Sequence, residues 1–134
     1  MHLSRFADFL AAAHAQSEAQ RLLFVFAVAE LPDAATPGQR RRFAEGRGGA
    51  LAPVMCVDKG PGELPGFAAL EEESRRTGQP WDMVFAAALA GRDGAPLSDA
   101  DVDRGLRMMV DAVHRGAVER FLAFDRAGDA VALT

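Results

Sequence analysis

Leu22-Leu23-Phe24-Val25-Phe26-Ala27-Val28-Ala29 is the stretch on which the fold turns. Eight apolar residues follow one another with no polar residue between them. A strand with one wet face alternates, and a surface helix shows a polar side every turn; this run does neither. It therefore reads as a central strand covered on both faces, the usual condition of a parallel strand between helical layers. Arg21 leads into it, and Glu30-Leu31-Pro32-Asp33 reads as the turn that ends it. Residues 81–90 are apolar on both faces again, which predicts a second central strand.

Helical patterns fill the space around these two runs. Before the first, Phe6, Leu10, Ala13 and Ser17 share one face, widened by Phe9. After it, Thr36-Pro37-Gly38-Gln39 opens a short helix, with Thr36 and Gln39 spaced as a capping box and Pro37 at the first helical position. A third helix is expected over 63–77, with Leu64, Phe67, Ala68 and Leu70 inward. A fourth starts at Ser98 and stops at Gly116, with Val102, Leu106, Met109, Val110 and Val113 as its buried stripe.

Residues 50–58 read as another strand. Strict alternation puts Leu51, Met55 and Val57 on one face and Val54 and Cys56 on the other. Pro53 cannot donate to a ladder, which sends this strand to an edge or delays its start. Residues 120–125 and 130–133 flank the turn Arg126-Ala127-Gly128-Asp129 as a hairpin. The order α-β-α-β-α-β-α-β-β gives the expected fold: α/β, a three-layer sandwich. Its sheet would be mixed, four- to five-stranded, with a parallel core, helices on both faces and a C-terminal β-hairpin. Residues 1–134 are expected to form one domain.

The bulk numbers exclude several classes of function. A net charge of −4 supplies no global field toward nucleic acid or acidic lipid. The apolar stretch behind the first five residues is broken by Asp8 and His14, so no signal peptide is expected, and no apolar run approaches the ~20 residues that cross a bilayer. A soluble cytoplasmic bacterial protein is the resulting expectation. One cysteine, Cys56, allows neither an intrachain disulfide nor a cysteine-based zinc site. The chain has no Ile, Asn or Tyr and one lysine against fourteen arginines, a skew typical of GC-rich coding. Against it, Lys59, three residues after Cys56, stands out.

No dinucleotide fingerprint, Walker loop or nucleophile elbow is present, and His2, His14 and His114 have no metal-ligand spacing, so neither cofactor nor metal is implied. Arg40, Arg41, Arg42 and Arg47 form the one basic cluster, a candidate nucleic-acid contact whose plainer reading is a solvated helix face. In a parallel sheet, ligands bind beyond the carboxyl ends of the strands. The polar residues expected there are Glu30, Asp58, Lys59, Arg92 and Asp93, with Cys56 just inside the rim. Lys59 and Arg92 suit an anionic group, with Glu30 and Asp93 beside them as further ligand-binding candidates. Cys56, Asp58 and Lys59 are the catalytic candidates, and the plainer reading of Cys56 is a small buried core residue.

The segments 20–26, 30–33, 53–59 and 121–126 resemble a small proteobacterial family whose members are about this length and are labelled ribonucleotide reductase subunit alpha. The resemblance runs over the whole chain and implies the same single α/β domain. It carries no reductase site onto these residues: that reaction uses several cysteines, as radical carrier and as reducing dithiol, and Cys56 stands alone. The missing motifs, the small size and the edge strand favour a non-catalytic protein-interaction or regulatory module, docking a partner protein or a second copy. The alternative is a small ligand-binding protein or enzyme using Cys56, Asp58, Lys59 and Arg92 on an anionic small molecule.

Overall fold

The computed structural model describes residues 5–31, 34–44, 50–91 and 95–131. In chain order the elements are α1 (Phe6–His14), β1 (Gln20–Glu30), α2 (Pro37–Ala44), β2 (Ala50–Lys59), α3 (Phe67–Arg75), β3 (Met83–Ala90), α4 (Asp99–Arg115) and β4 (Leu122–Phe124). A short 3₁₀ turn at Pro61–Glu63 joins β2 to α3. The four strands form one sheet in the order β2-β1-β3-β4, and every neighbouring pair is antiparallel.

The expected parallel core is therefore wrong. β1 is central, as its apolar run requires, but β2 and β3 both run against it. The reason lies in α2. A helix that carries a right-handed crossover buries a stripe on the sheet, and among the described side chains of α2, Arg40, Arg41, Arg42 and Ala44 are exposed. The chain from β1 thus returns beside it as β2 instead of crossing over. The helix itself begins as the sequence indicates, Gln39 N–H donating to Thr36 Oγ1 (3.2 Å) and Thr36 N–H to Gln39 Oε1 (2.8 Å).

Alternate residues of β1 feed two cores. Leu22, Phe24 and Phe26 face α1 and α3, joining Phe6, Phe9, Leu10, Leu70, Trp81 and Phe124. Leu23, Val25 and Ala27 face α4, joining Phe85, Val102, Met109 and Val113. The first core is aromatic: Phe6 packs edge-on to Phe67 (5.2 Å between centroids) and to Phe124 (5.3 Å). α4 is held at both ends, Ser98 Oγ accepting from Asp101 N–H (3.1 Å) and Gly116 closing the helix with φ +78°. Of the expected return strand 130–133, Ala130 makes an isolated bridge to Phe124 and Val131 N–H donates to the Ala123 carbonyl (2.9 Å), while residues 132 and 133 lie outside the described residues.

β2 is an edge strand, and its register slips once. Phe26 pairs with Met55 but Ala27 pairs with Pro53, so Val54 is bulged out beside the proline. The bulge resets the alternation expected from sequence. Leu51, Pro53, Cys56 and Asp58 pair with residues of the α4-facing set, whereas Val54, Met55 and Val57 pack with the α1/α3 core.

Candidate functional site

The strand ends that were expected to form one rim are divided by the antiparallel sheet. Glu30 pairs with Ala50, whereas Lys59 pairs with Leu22, eight residues back along β1. At ~3.3 Å per residue the two ends lie about 26 Å apart. Asp58 and Lys59 share an end of the sheet with the last residue of β3, Ala90, which pairs with Gln20. Arg92, Asp93 and Arg47 lie outside the described residues. Arg40, Arg41 and Arg42 project from α2 into solvent.

Cys56 and Asp58, two residues apart, share the α4 face of β2, whereas Lys59 points to the opposite face. Lys59 turns toward α3, where its Nζ lies 2.9 Å from Glu73 Oε1. Asp58 lies on the α4 face and accepts from Arg21 Nε at 2.7 Å, and the same guanidinium reaches Glu63 at 3.6 Å. Both charges are thus neutralised within the chain. Among the described residues, no three His, Cys, Asp or Glu side chains come together as a metal site, and no helix is long and apolar enough to cross a membrane.

Cys56 is exposed rather than buried, against the plainer reading of it. It opens into a groove of about 510 Å³ between β2 and α4, floored by Pro53, Cys56, Leu106 and Val110 and edged by Asp103, Arg107, Asp111 and His114. Leu106 and Val110, expected in the core, are only half-buried because they sit at the margin of α4's apolar stripe, where β2 falls short of covering them. The carboxylates of the groove edge already hold arginines of their own helix: Asp103 with Arg107 at 2.7 Å and Asp111 with Arg115 at 2.9 Å. Burial pushes the Cys56 thiol above its ordinary range, and the carboxylates of Asp103 and Asp58 push it further. That is the opposite of an activated thiol, which needs neighbouring positive charge.

A second, smaller pocket of about 170 Å³ opens on the other face of the same stretch of β2. Phe26, Met55, Cys56, Val57 and Leu70 line it, with Glu73, Ser74 and Thr77 of the α3 side above. The Thr77 hydroxyl lies 3.4 Å from Met55 Sδ. The α4 half of the first groove was missed in the sequence reading. Comparisons with protein-family models, with curated proteins and with solved structures find no match.

Proposed function

We propose that this chain is a non-catalytic, cytoplasmic protein-interaction module that works through the β2 edge. The observation that carries the reading is that β2, ten residues long, is a terminal strand of the sheet with no strand paired to its outer side among the described residues. Such an edge presents unpaired backbone N–H and C=O groups to any partner that reaches it. The bulge and Pro53 blunt the first half, which leaves Met55–Lys59 as the regular part.

The alternative, a small ligand-binding protein or enzyme, has one observation in its favour: Cys56 is exposed in a groove. It is the weaker reading. The thiol is shifted away from thiolate, and the lysine meant to hold an anion is on the other face of the strand, paired with Glu73. The functional label carried by the family of the sequence resemblance adds no chemistry to either reading.

The experiment is photo-crosslinking in cells, with a photoreactive side chain at Cys56 in one strain and at exposed Gln79 in another. A discrete protein adduct at position 56 that is missing at 79 is the expected result. Equal labelling at both positions, or none at 56, would overturn the reading.

A further inference from the structure

We infer that α2 is a contact for duplex DNA: the helix enters the major groove with Arg41 toward the floor and Arg40 and Arg42 on the phosphates of the two walls. The inference goes beyond the interaction-module reading. α2 joins the Glu30 end of β1 to Ala50 of β2, at the end of the sheet away from Asp58 and Lys59.

α2 differs in kind from the other charged helices. On α3 and α4 the arginines hold carboxylates of their own helix: Arg75 with Glu71 at 2.9 Å, Arg104 with Asp101 at 3.3 Å, Arg107 with Asp103 at 2.7 Å and Arg115 with Asp111 at 2.9 Å. Such pairs make a neutral, solvated face. α2, Pro-Gly-Gln-Arg-Arg-Arg-Phe-Ala, carries three arginines and no acid. Arg40, Arg41 and Arg42 are exposed, and none of them has an ion-pair partner among the described residues. Arg41 and Arg42 complement the carboxyl end of the α2 dipole, a role that occupies none of their N–H donors. No described side chain of α2 joins either core, so its charged side is open to a partner.

The angular spread of the arginines selects that partner. Successive helical residues lie about 100° apart, so Arg40 and Arg42 stand on either side of Arg41 and together span about 200°. A flat anionic surface meets Arg41 and leaves the outer two pointing away from it, and a single acidic peptide strand meets one side of the helix. A groove with negative charge on both walls takes all three, and the major groove of B-form DNA, about 12 Å wide, admits one α-helix. Pro37, Gly38 and Ala44 lie within about 60° of Arg41 on the same wheel. The side between the outer arginines is therefore small, and the backbone can approach the base edges, where Arg41 has the donor fork that suits guanine O6 and N7. The rest of the chain opposes DNA: taking these three positive charges from a net −4 leaves −7. The contact is accordingly confined to α2.

The probe is a short fluorescent DNA duplex of mixed sequence, titrated with the full-length chain and followed by anisotropy. Affinity should fall about tenfold between about 50 and 200 mM salt, the dependence of two phosphate contacts. Arg40→Gln with Arg42→Gln should remove that dependence and most of the binding, whereas Arg40→Lys with Arg42→Lys, which keeps both charges, should retain them. Arg104→Gln with Arg107→Gln changes the net charge equally on α4 and should leave binding unchanged. Equal loss from the α2 and α4 glutamine pairs would be a net-charge effect and overturns the contact, and so does the absence of binding at about 50 mM salt. Tighter binding of polyglutamate, or of vesicles containing phosphatidylglycerol, assigns α2 to an acidic protein or a membrane and overturns DNA as its partner. Equal binding of duplex RNA, whose major groove is too deep and narrow to be read, overturns groove entry.

Discussion

Trp81 is 3% exposed, and its indole N–H donates to Ser74 Oγ at 2.8 Å. Ser74, the one buried polar residue of the described core, donates its own hydroxyl to the Glu71 carbonyl at 2.6 Å. Above the ring lies the Arg126 guanidinium, 4.3 Å from the centroid, which also donates to the Trp81 carbonyl (3.2 Å) and pairs with Glu71 (2.9 Å). This set of contacts ties α3 to the start of β3. Ser74→Ala removes the acceptor and leaves the indole N–H buried and unsatisfied, which costs about 1–3 kcal/mol. For a domain of this size that is a fall in Tm of roughly 3–10 °C. Trp81→Phe removes the donor instead, and in that background Ser74→Ala should cost close to nothing. The two single variants and the double variant, unfolded in urea and followed by far-ultraviolet circular dichroism, close the cycle. A coupling of about 1–3 kcal/mol is expected. If Ser74→Ala costs the same with Phe at position 81 as with Trp, the hydrogen bond is not what holds α3 in place and the reasoning fails.

Cys56 should react slowly with a neutral thiol reagent at pH 7 in the folded protein, with an apparent pKa above that of a free cysteine; Asp103→Asn should lower it, measured by initial rates from pH 6 to 10. Gly91→Ala should destabilise the fold by about 1–3 kcal/mol in urea titrations, because a Cβ there meets the Ala95 carbonyl oxygen, which is backbone and cannot turn aside. Gly128 has φ +85° and faces the Phe67 ring at 2.9 Å from where a Cβ would stand, so Gly128→Ala should cost at least ~1–2 kcal/mol by the same assay. Hydrogen bonding by Arg126, helped by Arg75, lowers the Glu71 pKa in the folded chain. Its contribution is thus present above the unfolded carboxyl pKa and lost as pH falls through the folded value, and Glu71→Gln should flatten the acid limb of the stability curve.

The central position of β1 was legible because an unbroken apolar run admits no other place in a sheet. So was the edge position of β2, which Pro53 enforces. Strand direction was not legible from that run, since a strand covered on both faces satisfies a parallel or an antiparallel neighbour equally. The information sat in α2, where Arg40–Arg42 turn to solvent rather than to the sheet. The error in direction then spread to the site. Glu30 fell at the wrong end, and the one-residue slip at Val54 exchanged faces within β2. The groove escaped notice because it joins Cys56 to Leu106 and Val110, some fifty residues later, and no local pattern links them.

Amide hydrogen exchange along β2 tests most directly whether its outer edge is free. In the free chain, protection should alternate over residues 55–59, with amides bonded to β1 protected and the intervening ones exchanging nearly as fast as in an unfolded peptide. Uniform protection across 55–59 in the monomer would mean that the outer edge is already occupied, and would contradict the proposed function.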